Sequence, residues 1–104
     1  MKETEIQKTI IDYLCLKKIF HHRNNSGAIV SQYKGKTRFF RFGASGSPDI
    51  VCVINGQYVG LEVKNEKGKQ SDHQKRFQEN IEKAGGRYFL VRSLNDTIQC
   101  LRDL

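Results

Sequence analysis

The chain has 104 residues, of which 18 are Lys or Arg and 11 are Asp or Glu, so its net charge is +7 at pH 7. This length allows one hydrophobic core, and we expect residues 1–104 to form a single domain. A hydrophobic content of 38% excludes a disordered class, and the excess of positive charge is typical of proteins that bind polyanions such as nucleic acid.

The first predicted element is an amphipathic helix over residues 3–18, since apolar residues recur at helical spacing from Ile6 and Ile10 onward. Glu3 lies three residues before Ile6, on the same face as this apolar stripe, whereas Glu5 lies off it. A carboxylate at the core-facing edge can reach the end of a sheet, so we favour Glu3 over Glu5 as a site residue. Both are also ordinary first-turn acids, which the helix dipole favours.

A first strand is predicted from residue 19 to 23, and a hairpin over residues 28–42 carries basic side chains among aromatic ones. Such a surface suits contact with phosphates and stacking on exposed bases. Alternatively, the charges only protect the edges of an exposed hairpin from aggregation. The basic residues predicted to contact nucleic acid are Lys34, Lys36, Arg38 and Arg41.

The central predicted element is a second hairpin, in which two runs rich in β-branched residues, 50–54 and 57–64, flank an Asn-Gly pair. Asn-Gly between such runs predicts a two-residue type I′ turn, which sets the pairing register. Counting outward from the turn places Asp49 opposite Glu62. One face is apolar and is predicted to be core: Ile50, Cys52, Ile54, Val59, Leu61 and Val63.

On the other face of this hairpin, Asp49, Glu62 and Lys64 converge at one end, because side chains alternate along a strand. Like charges placed directly opposite each other are destabilising, so the paired carboxylates favour a cation between them. Hard, oxygen-rich sites of this kind suit Mg²⁺ or Mn²⁺. The alternative is that both carboxylates lie in water and Lys64 neutralises them.

The C-terminal part is predicted to form a helix from residue 71 to about 84, a strand over 87–92 and a final helix over 95–104. Ser71 and Gln74 satisfy the capping-box pattern, which is a sufficient structural reason for both residues. The predicted buried residues are Phe77, Ile81 and Ala84 in the first of these helices and Ile98 and Leu101 in the second.

The three cysteines are widely spaced and form no Cys-x-x-Cys, so neither a zinc knuckle nor a disulfide framework is indicated. Cys15, Cys52 and Cys100 are predicted to be buried, reduced thiols. Because no apolar run approaches membrane-spanning length and no signal peptide is predicted, we expect a soluble protein without a membrane partner. The order of elements predicts an α/β sandwich with a mixed central β-sheet flanked by helices.

Five motifs follow one another along nearly the whole chain: Glu-x-x-Ile-Gln at 3–7, Asn-Ser-Gly at 25–27, Gly-Ala-Ser-Gly-Ser-Pro-Asp at 43–49, Glu-Val-Lys at 62–64 and Ser-Asp-His-Gln at 71–74. Pro-Asp followed by Glu-x-Lys resembles the PD-(D/E)xK signature of restriction-endonuclease-like nucleases. The whole order resembles the VRR-NUC domain, a branch of that superfamily, in its stand-alone phage or bacterial form.

The resemblance implies a restriction-endonuclease-like fold and metal-dependent hydrolysis of DNA phosphodiester bonds. The residues expected to be catalytic are Glu3, Asp49, Glu62, Lys64 and Gln74. The expected ligands of one or two Mg²⁺ ions, for which Mn²⁺ would substitute, are Asp49, Glu62, Glu3 and the carbonyl of Val63. Lys64 would position or deprotonate the attacking water or stabilise the transition state, and Gln74 would orient Lys64 or the water.

Stand-alone members of this family resemble Holliday-junction resolvases that act as homodimers. A chain of 104 residues has little surface for reading a base sequence, so we expect recognition of branched DNA. The alternatives are a flap- or nick-specific repair nuclease, a restriction-type nuclease, and a non-catalytic DNA-binding module of a replication or recombination complex. The expected location is the cytoplasm of a bacterial cell or of a phage-infected host.

Overall fold

The computed structural model describes residues 1–24, 27–33, 35–42 and 46–104, and within the strands of residues 27–42 it describes the path of the chain only. The helices and strands are α1 (Glu3–Leu16), β1 (His21–Arg23), β2 (Gly27–Tyr33), β3 (Lys36–Phe42), β4 (Ile50–Ile54), β5 (Gln57–Val63), α2 (Asp72–Lys83), β6 (Arg87–Val91) and α3 (Leu94–Arg102). This succession agrees with the predicted order of helix, strands, helix, strand and helix.

The main sheet described has the strand order β1-β4-β5-β6 and is flanked by helices. β4 pairs antiparallel with β1 and β5, whereas β6 pairs parallel with β5. A parallel neighbour requires a crossover connection, which α2 supplies. β2 and β3 pair with each other as a separate two-stranded sheet. The predicted α/β architecture with a mixed central sheet is therefore confirmed.

The turn between β4 and β5 has the backbone that the Asn-Gly pair predicts. Asn55 and Gly56 both have positive φ, 51° and 77°, as a type I′ turn requires. Ile54 pairs with Gln57, and the register continues to the pair formed by Ile50 and Leu61. One further step outward places Asp49 opposite Glu62.

The hydrophobic core lies between α1 and one face of this hairpin. The apolar stripe of α1, made of Ile6, Ile10 and Leu14, is buried against that face. The hairpin contributes five buried side chains, Ile50, Cys52, Val59, Leu61 and Val63, with the half-buried Ile54 beside them. Fully burying one large aliphatic side chain contributes about 1.5–3 kcal/mol, so this packing holds α1 against the sheet.

Helix α1 ends at Leu16, two residues before the predicted boundary, because the chain turns back there. Lys18 adopts a left-handed conformation with φ of 56°. The N–H of Ile19 then donates to the carbonyl of Leu14 at 3.0 Å, which closes a C-terminal cap. Cys15 is exposed, contrary to the prediction of a buried thiol, since it lies about 100° around the helix from Leu14.

The predicted buried stripe of α2 is wrong in part. Phe77 and Ile81 are half-buried, and Ala84 is exposed. Ala84 is the C-cap residue of the helix, and Gly85 after it has φ of 92°, so the chain leaves the helical path before the stripe is completed. The ring of Phe77 lies 6.3 Å from that of the buried Tyr88, which anchors α2 to β6.

Two of the three thiols agree better with the prediction, because Cys52 is buried and Cys100 is half-buried. Among the described residues, none of the helices is both long enough and apolar enough to cross a bilayer.

Candidate active site

Asp49 stands at the end of the central hairpin, directly before β4. Its Oδ2 accepts a hydrogen bond from the backbone N–H of Val63 at 2.8 Å, and its carbonyl accepts one from the N–H of Asn24 at 2.8 Å. The carboxylate is thus held against the last residue of β5, and the main chain is held by the loop that follows β1.

The residues directly before Asp49 are closely packed against β5 and α2, and this packing fixes the position of Asp49. Pro48 is fully buried, and a Cβ placed on Gly60 would lie 2.6 Å from Pro48 Cγ. Only glycine at position 60 lets the proline ring approach β5 this closely. A Cβ on Gly46, whose φ is 85°, would overlap the carbonyl of His73. The short lead into Asp49 is therefore wedged between β5 and the first turn of α2.

Glu62 is buried on the face that carries Asp49, with only 4% of its surface exposed. Its Oε1 accepts a hydrogen bond from Gln74 Nε2 at 2.6 Å and lies 3.8 Å from Lys64 Nζ. Its Oε2 is buried and has no hydrogen-bond partner within the described part of the chain. Burying an ionised carboxylate oxygen without a hydrogen-bond donor costs free energy. Such an unpaired oxygen is typical of a position that binds a ligand.

Burial and neighbouring charges shift the pKa values of the two carboxyl groups at this end of the hairpin. Burial raises the pKa of Glu62 and the negative charge of Asp49 raises it further, to about 8, although Lys64 acts in the opposite direction. Burial also raises the pKa of Asp49, and the Val63 N–H and Lys64 oppose that change. Both carboxyl groups therefore resist ionisation in the protein alone, and a bound cation would relieve this.

The donor set fits a hard divalent cation. Mg²⁺ is commonly held by one or two carboxylates, with water and substrate phosphate completing its shell, and Asp49 and Glu62 offer that pair. In the described ranges, no group of three or more His, Cys, Asp and Glu side chains is close enough to bind a metal by itself. The two carboxylates offer oxygen ligands, which suit Mg²⁺ or Mn²⁺ better than Zn²⁺, since Zn²⁺ prefers nitrogen and sulfur ligands.

Gln74 belongs both to the helix cap and to this site. Its backbone N–H donates to Ser71 Oγ at 3.2 Å, and its Oε1 accepts from the N–H of Ser71 at 2.9 Å, which completes the predicted capping box. The remaining amide nitrogen is the one that donates to Glu62. The two interpretations that the sequence left open are therefore compatible.

Glu3 reaches the same end of the sheet from the first turn of α1. Its Oε2 accepts a hydrogen bond from the backbone N–H of Asn65 at 3.3 Å, and its charge acts on Asp49 in the direction that raises the pKa of that carboxyl. Glu5 is exposed. The structure thus brings Glu3, rather than Glu5, toward the carboxylate pair.

The four basic residues predicted to contact DNA cannot be placed relative to this site. Lys34 lies outside the described residues. Lys36, Arg38 and Arg41 belong to β3, and their side chains also lie outside what the structure describes. Their role stays a prediction.

Sequence reasoning missed the polar groups that surround the site. Arg92 donates to two carbonyls of the loop after Lys64, and the hydroxyl of the buried Tyr88 donates to the carbonyl of Gly46 at 3.4 Å. The Asn-x-x-Gly spacing from Asn65 is a turn signal that could have identified that loop. No local pattern indicates the reach of Arg92.

The comparisons with known proteins concern the family and the fold of the chain. The family model described as the VRR-NUC domain matches residues 1–95. A solved structure described as a VRR_NUC domain superposes with a TM-score of 0.68 and covers 98% of this chain and 96% of its own. The two sequences are 23% identical, so this likeness shows a shared fold. No curated protein matches the chain.

Proposed function

The chain belongs to the VRR-NUC domain family, whose members are nuclease-type domains, and we propose that it hydrolyses DNA phosphodiester bonds with Mg²⁺ or Mn²⁺. The observation that carries this proposal is the mutually repelling carboxylate pair of the half-buried Asp49 and the buried Glu62, in which one oxygen of Glu62 has no donor among the described residues. Lys64 beside them supplies the cationic group that phosphoryl chemistry requires.

Asp49 and Glu62 would hold the cation, and the carbonyl of Val63 and the carboxylate of Glu3 would assist. When bound, the cation would polarise the phosphate and lower the pKa of water at the site. Gln74 and Lys64 both approach Oε1 of Glu62, so Oε2 is the oxygen that would bind the cation. Gln74 would thereby orient the ligand rather than touch the substrate.

The position of Lys64 suits a direct role in the proposed cleavage reaction. Its ammonium group lies 3.8 Å from Glu62, and its side chain is 18% exposed, so it is anchored within the site yet accessible from solvent. From there it would neutralise charge on the phosphate or remove the proton of the attacking water. Either role requires the nitrogen to stay within a few ångströms of the carboxylate pair.

We further propose branched DNA, in particular the Holliday junction, as the substrate and a homodimer as the active species. A two-fold symmetric dimer presents two identical sites to strands of opposite polarity, as symmetric cutting of a junction requires. A flap- or nick-specific nuclease, a restriction-type nuclease and a non-catalytic DNA-binding module are the competing functions, and the substrate test below separates them.

The test measures cleavage of labelled four-way junctions, flaps, single strands and linear duplex, with Mg²⁺, with Mn²⁺ and with EDTA. We expect paired symmetric nicks in the junction, abolished by EDTA and by Asp49→Asn, while Asp49→Asn still binds the junction. Asp103→Asn removes one exposed carboxylate far along the chain and is the matched control. It should cut like the wild type.

Other outcomes would change the assignment. Cleavage of flaps or single strands alone would keep the active site and discard the resolvase. Binding without cleavage by folded protein that has bound Mn²⁺ would favour the non-catalytic module. Sedimentation of the protein with and without junction DNA reports separately on the dimer.

A further inference from the structure

The four residues after Lys64, which we call the 65–68 turn, are closed by their own hydrogen bonds. Asn65 Oδ1 accepts from the N–H groups of Lys67 at 3.0 Å and Gly68 at 2.8 Å. The carbonyl of Asn65 also accepts from the N–H of Gly68 at 3.2 Å. An asparagine that bonds the backbone two and three residues on is a common way to form a turn.

Arg92 ties both ends of this turn to β6. One nitrogen of its guanidinium, Nη1, donates to the carbonyl of Asn65 at 2.6 Å and to that of Gly68 at 2.7 Å. Arg92 directly follows β6, and its own N–H donates to Asp96 Oδ2 of α3 at 3.0 Å. Hydrogen bonds from a charged donor are shorter and stronger than neutral ones, so the guanidinium acts as a clamp.

The 65–68 turn contacts two of the residues placed in the active site. The N–H of Asn65 donates to Glu3 Oε2. A Cβ on Gly68 would lie 3.1 Å from both Cβ and Cδ of Lys64 and 3.2 Å from Glu3 Oε2. Gly68 therefore lies directly against the stem of Lys64 and beside the carboxylate of Glu3.

We propose that Arg92 is a positioning residue, which clamps the 65–68 turn so that the turn holds Glu3 and Lys64 in the geometry that cleavage requires. This inference rests on the proposed nuclease function. The clamp joins the start of α1 to the end of β5, two elements that meet at the carboxylate pair. Loss of the clamp releases Glu3 from the turn and the stem of Lys64 from its support, while the carboxylate pair itself stays intact.

A role in folding alone would also make Arg92 important, so the test must distinguish the two. Arg92→Ala should lower the single-turnover cleavage rate about 10- to 100-fold, the usual effect of removing a group that orients a metal ligand. The affinity for DNA and the folded state should change little. Arg92→Lys, which keeps the charge and one nitrogen donor, should recover part of the rate.

Arg87→Ala is the matched control, because it removes the same type of side chain from the first residue of β6, whereas Arg92 directly follows the last residue of that strand. Arg87 lies over the ring of Phe89, at the start of β6, away from the carboxylates. We expect near wild-type cleavage from this variant. Gly68→Ala disturbs the turn without removing a charge, since it places a methyl group against Lys64 and Glu3. It should lower the rate as Arg92→Ala does.

A double-mutant cycle between Arg92 and Glu3 shows whether the two act through one another. If Arg92 works by placing Glu3, Arg92→Ala combined with Glu3→Gln should cost far less than the product of the two single losses. If each single substitution lowers the rate and the loss in the double variant equals the product of the two single losses, Arg92 does not act by positioning Glu3.

Amide hydrogen exchange tests the clamp without any activity. Arg92→Ala should speed exchange at the N–H of Asn65 and Gly68, and Arg87→Ala should not. Unchanged exchange at these two amides in Arg92→Ala would overturn the clamp whatever the cleavage rates. If exchange at these amides is faster in Arg92→Ala but the wild type cuts none of the DNA substrates, the structural role of Arg92 is supported. The nuclease proposal is then overturned instead.

Discussion

The side chain of Gln74 joins the N-terminus of helix α2 to the buried carboxylate of Glu62. Its oxygen accepts from the N–H of Ser71 at 2.9 Å, and its nitrogen donates to Glu62 Oε1 at 2.6 Å. Because the capping box uses the oxygen, the nitrogen of the amide must point away from the cap. The helix cap thus sets the orientation of the group that holds Glu62.

Replacing Gln74 by Glu separates these two contacts. Glu also completes a capping box after Ser71, so the helix should remain capped. A carboxylate in place of the amide nitrogen cannot donate to Glu62 and repels it, so we expect cleavage to fall about 10- to 100-fold. Helix content from circular dichroism and the single-turnover cleavage rate are the two measurements.

Ser71→Ala is the control for that variant. It removes the hydroxyl that caps the N–H of Gln74, at a cost of about 0.5–2 kcal/mol in stability, and leaves the contact with Glu62 in place. Cleavage by Ser71→Ala should stay close to that of the wild type. An equal loss of cleavage in both variants would mean that Gln74 acts through the helix cap alone.

Glu3 and Glu5 form a matched pair for testing the helix acid. Glu3→Gln keeps an oxygen that can accept from the N–H of Asn65 but removes a negative charge from the site. Cleavage should fall at least about tenfold, as for loss of a group that assists a metal ion. Glu5→Gln removes the same charge from an exposed position two residues on, and its cleavage rate should not change. The reverse pattern would assign the site to Glu5.

The raised pKa of Glu62 predicts how the metal-free protein responds to pH. The folded-state pKa, about 8, lies above the ordinary value of 4.5, so the folded protein binds this proton more tightly than the unfolded chain does. The resulting stability is fully present below the ordinary value and is lost as the pH rises toward 8. We expect a loss on the order of 1–3 kcal/mol between about pH 5 and pH 8 in EDTA, measured by urea unfolding.

Glu62→Gln is the control for this pH dependence. The amide is nearly the same size and does not titrate, so the decline between these two pH values should become shallower. The variant should also be more stable than the wild type at pH 8 without metal, because it carries no buried charge opposite Asp49. An unchanged pH dependence would assign the decline to other groups.

Metal binding should offset the loss of stability that the metal-free protein shows as the pH rises toward 8. A cation between Asp49 and Glu62 favours the ionised form of both, so Mn²⁺ should raise the unfolding temperature at pH 8 much more than at pH 5. At a free concentration 100 times the dissociation constant, the gain is about 2.7 kcal/mol. Asp49→Asn should abolish most of the shift. Equal stabilisation of the wild type and Asp49→Asn would place the metal elsewhere.

Gly46 and Gly85 test the packing of the segment that leads into Asp49. Both have positive φ, 85° and 92°, so alanine at either position costs about 1–2 kcal/mol in backbone strain. A Cβ on Gly85 would meet open space, whereas one on Gly46 would overlap the backbone of α2 at His73. Gly46→Ala should therefore be less stable than Gly85→Ala by about 1–3 kcal/mol, as for other overpacked sites. Comparable losses from urea unfolding would contradict the close contact with α2.

Local patterns were sufficient for much of the fold. The Asn55-Gly56 turn and the alternation of the flanking strands specify the register, and with it the placing of Asp49 opposite Glu62, because a two-residue loop allows one pairing. Helical spacing likewise put Glu3 on the core-facing edge of α1. These predictions depend on geometry within one element or between neighbours in sequence, which the chain encodes directly.

The tertiary structure decided what depends on how elements pack. Ala84 follows the helical pattern yet is exposed, because the helix ends there. Arg92 reaches Asn65 across 27 residues, and Glu62 is left with a buried oxygen that lacks a donor among the described residues. Burial and contacts of this kind arise only when helix and sheet come together. Sequence therefore determined which groups face the site, and packing determined how they are held and charged.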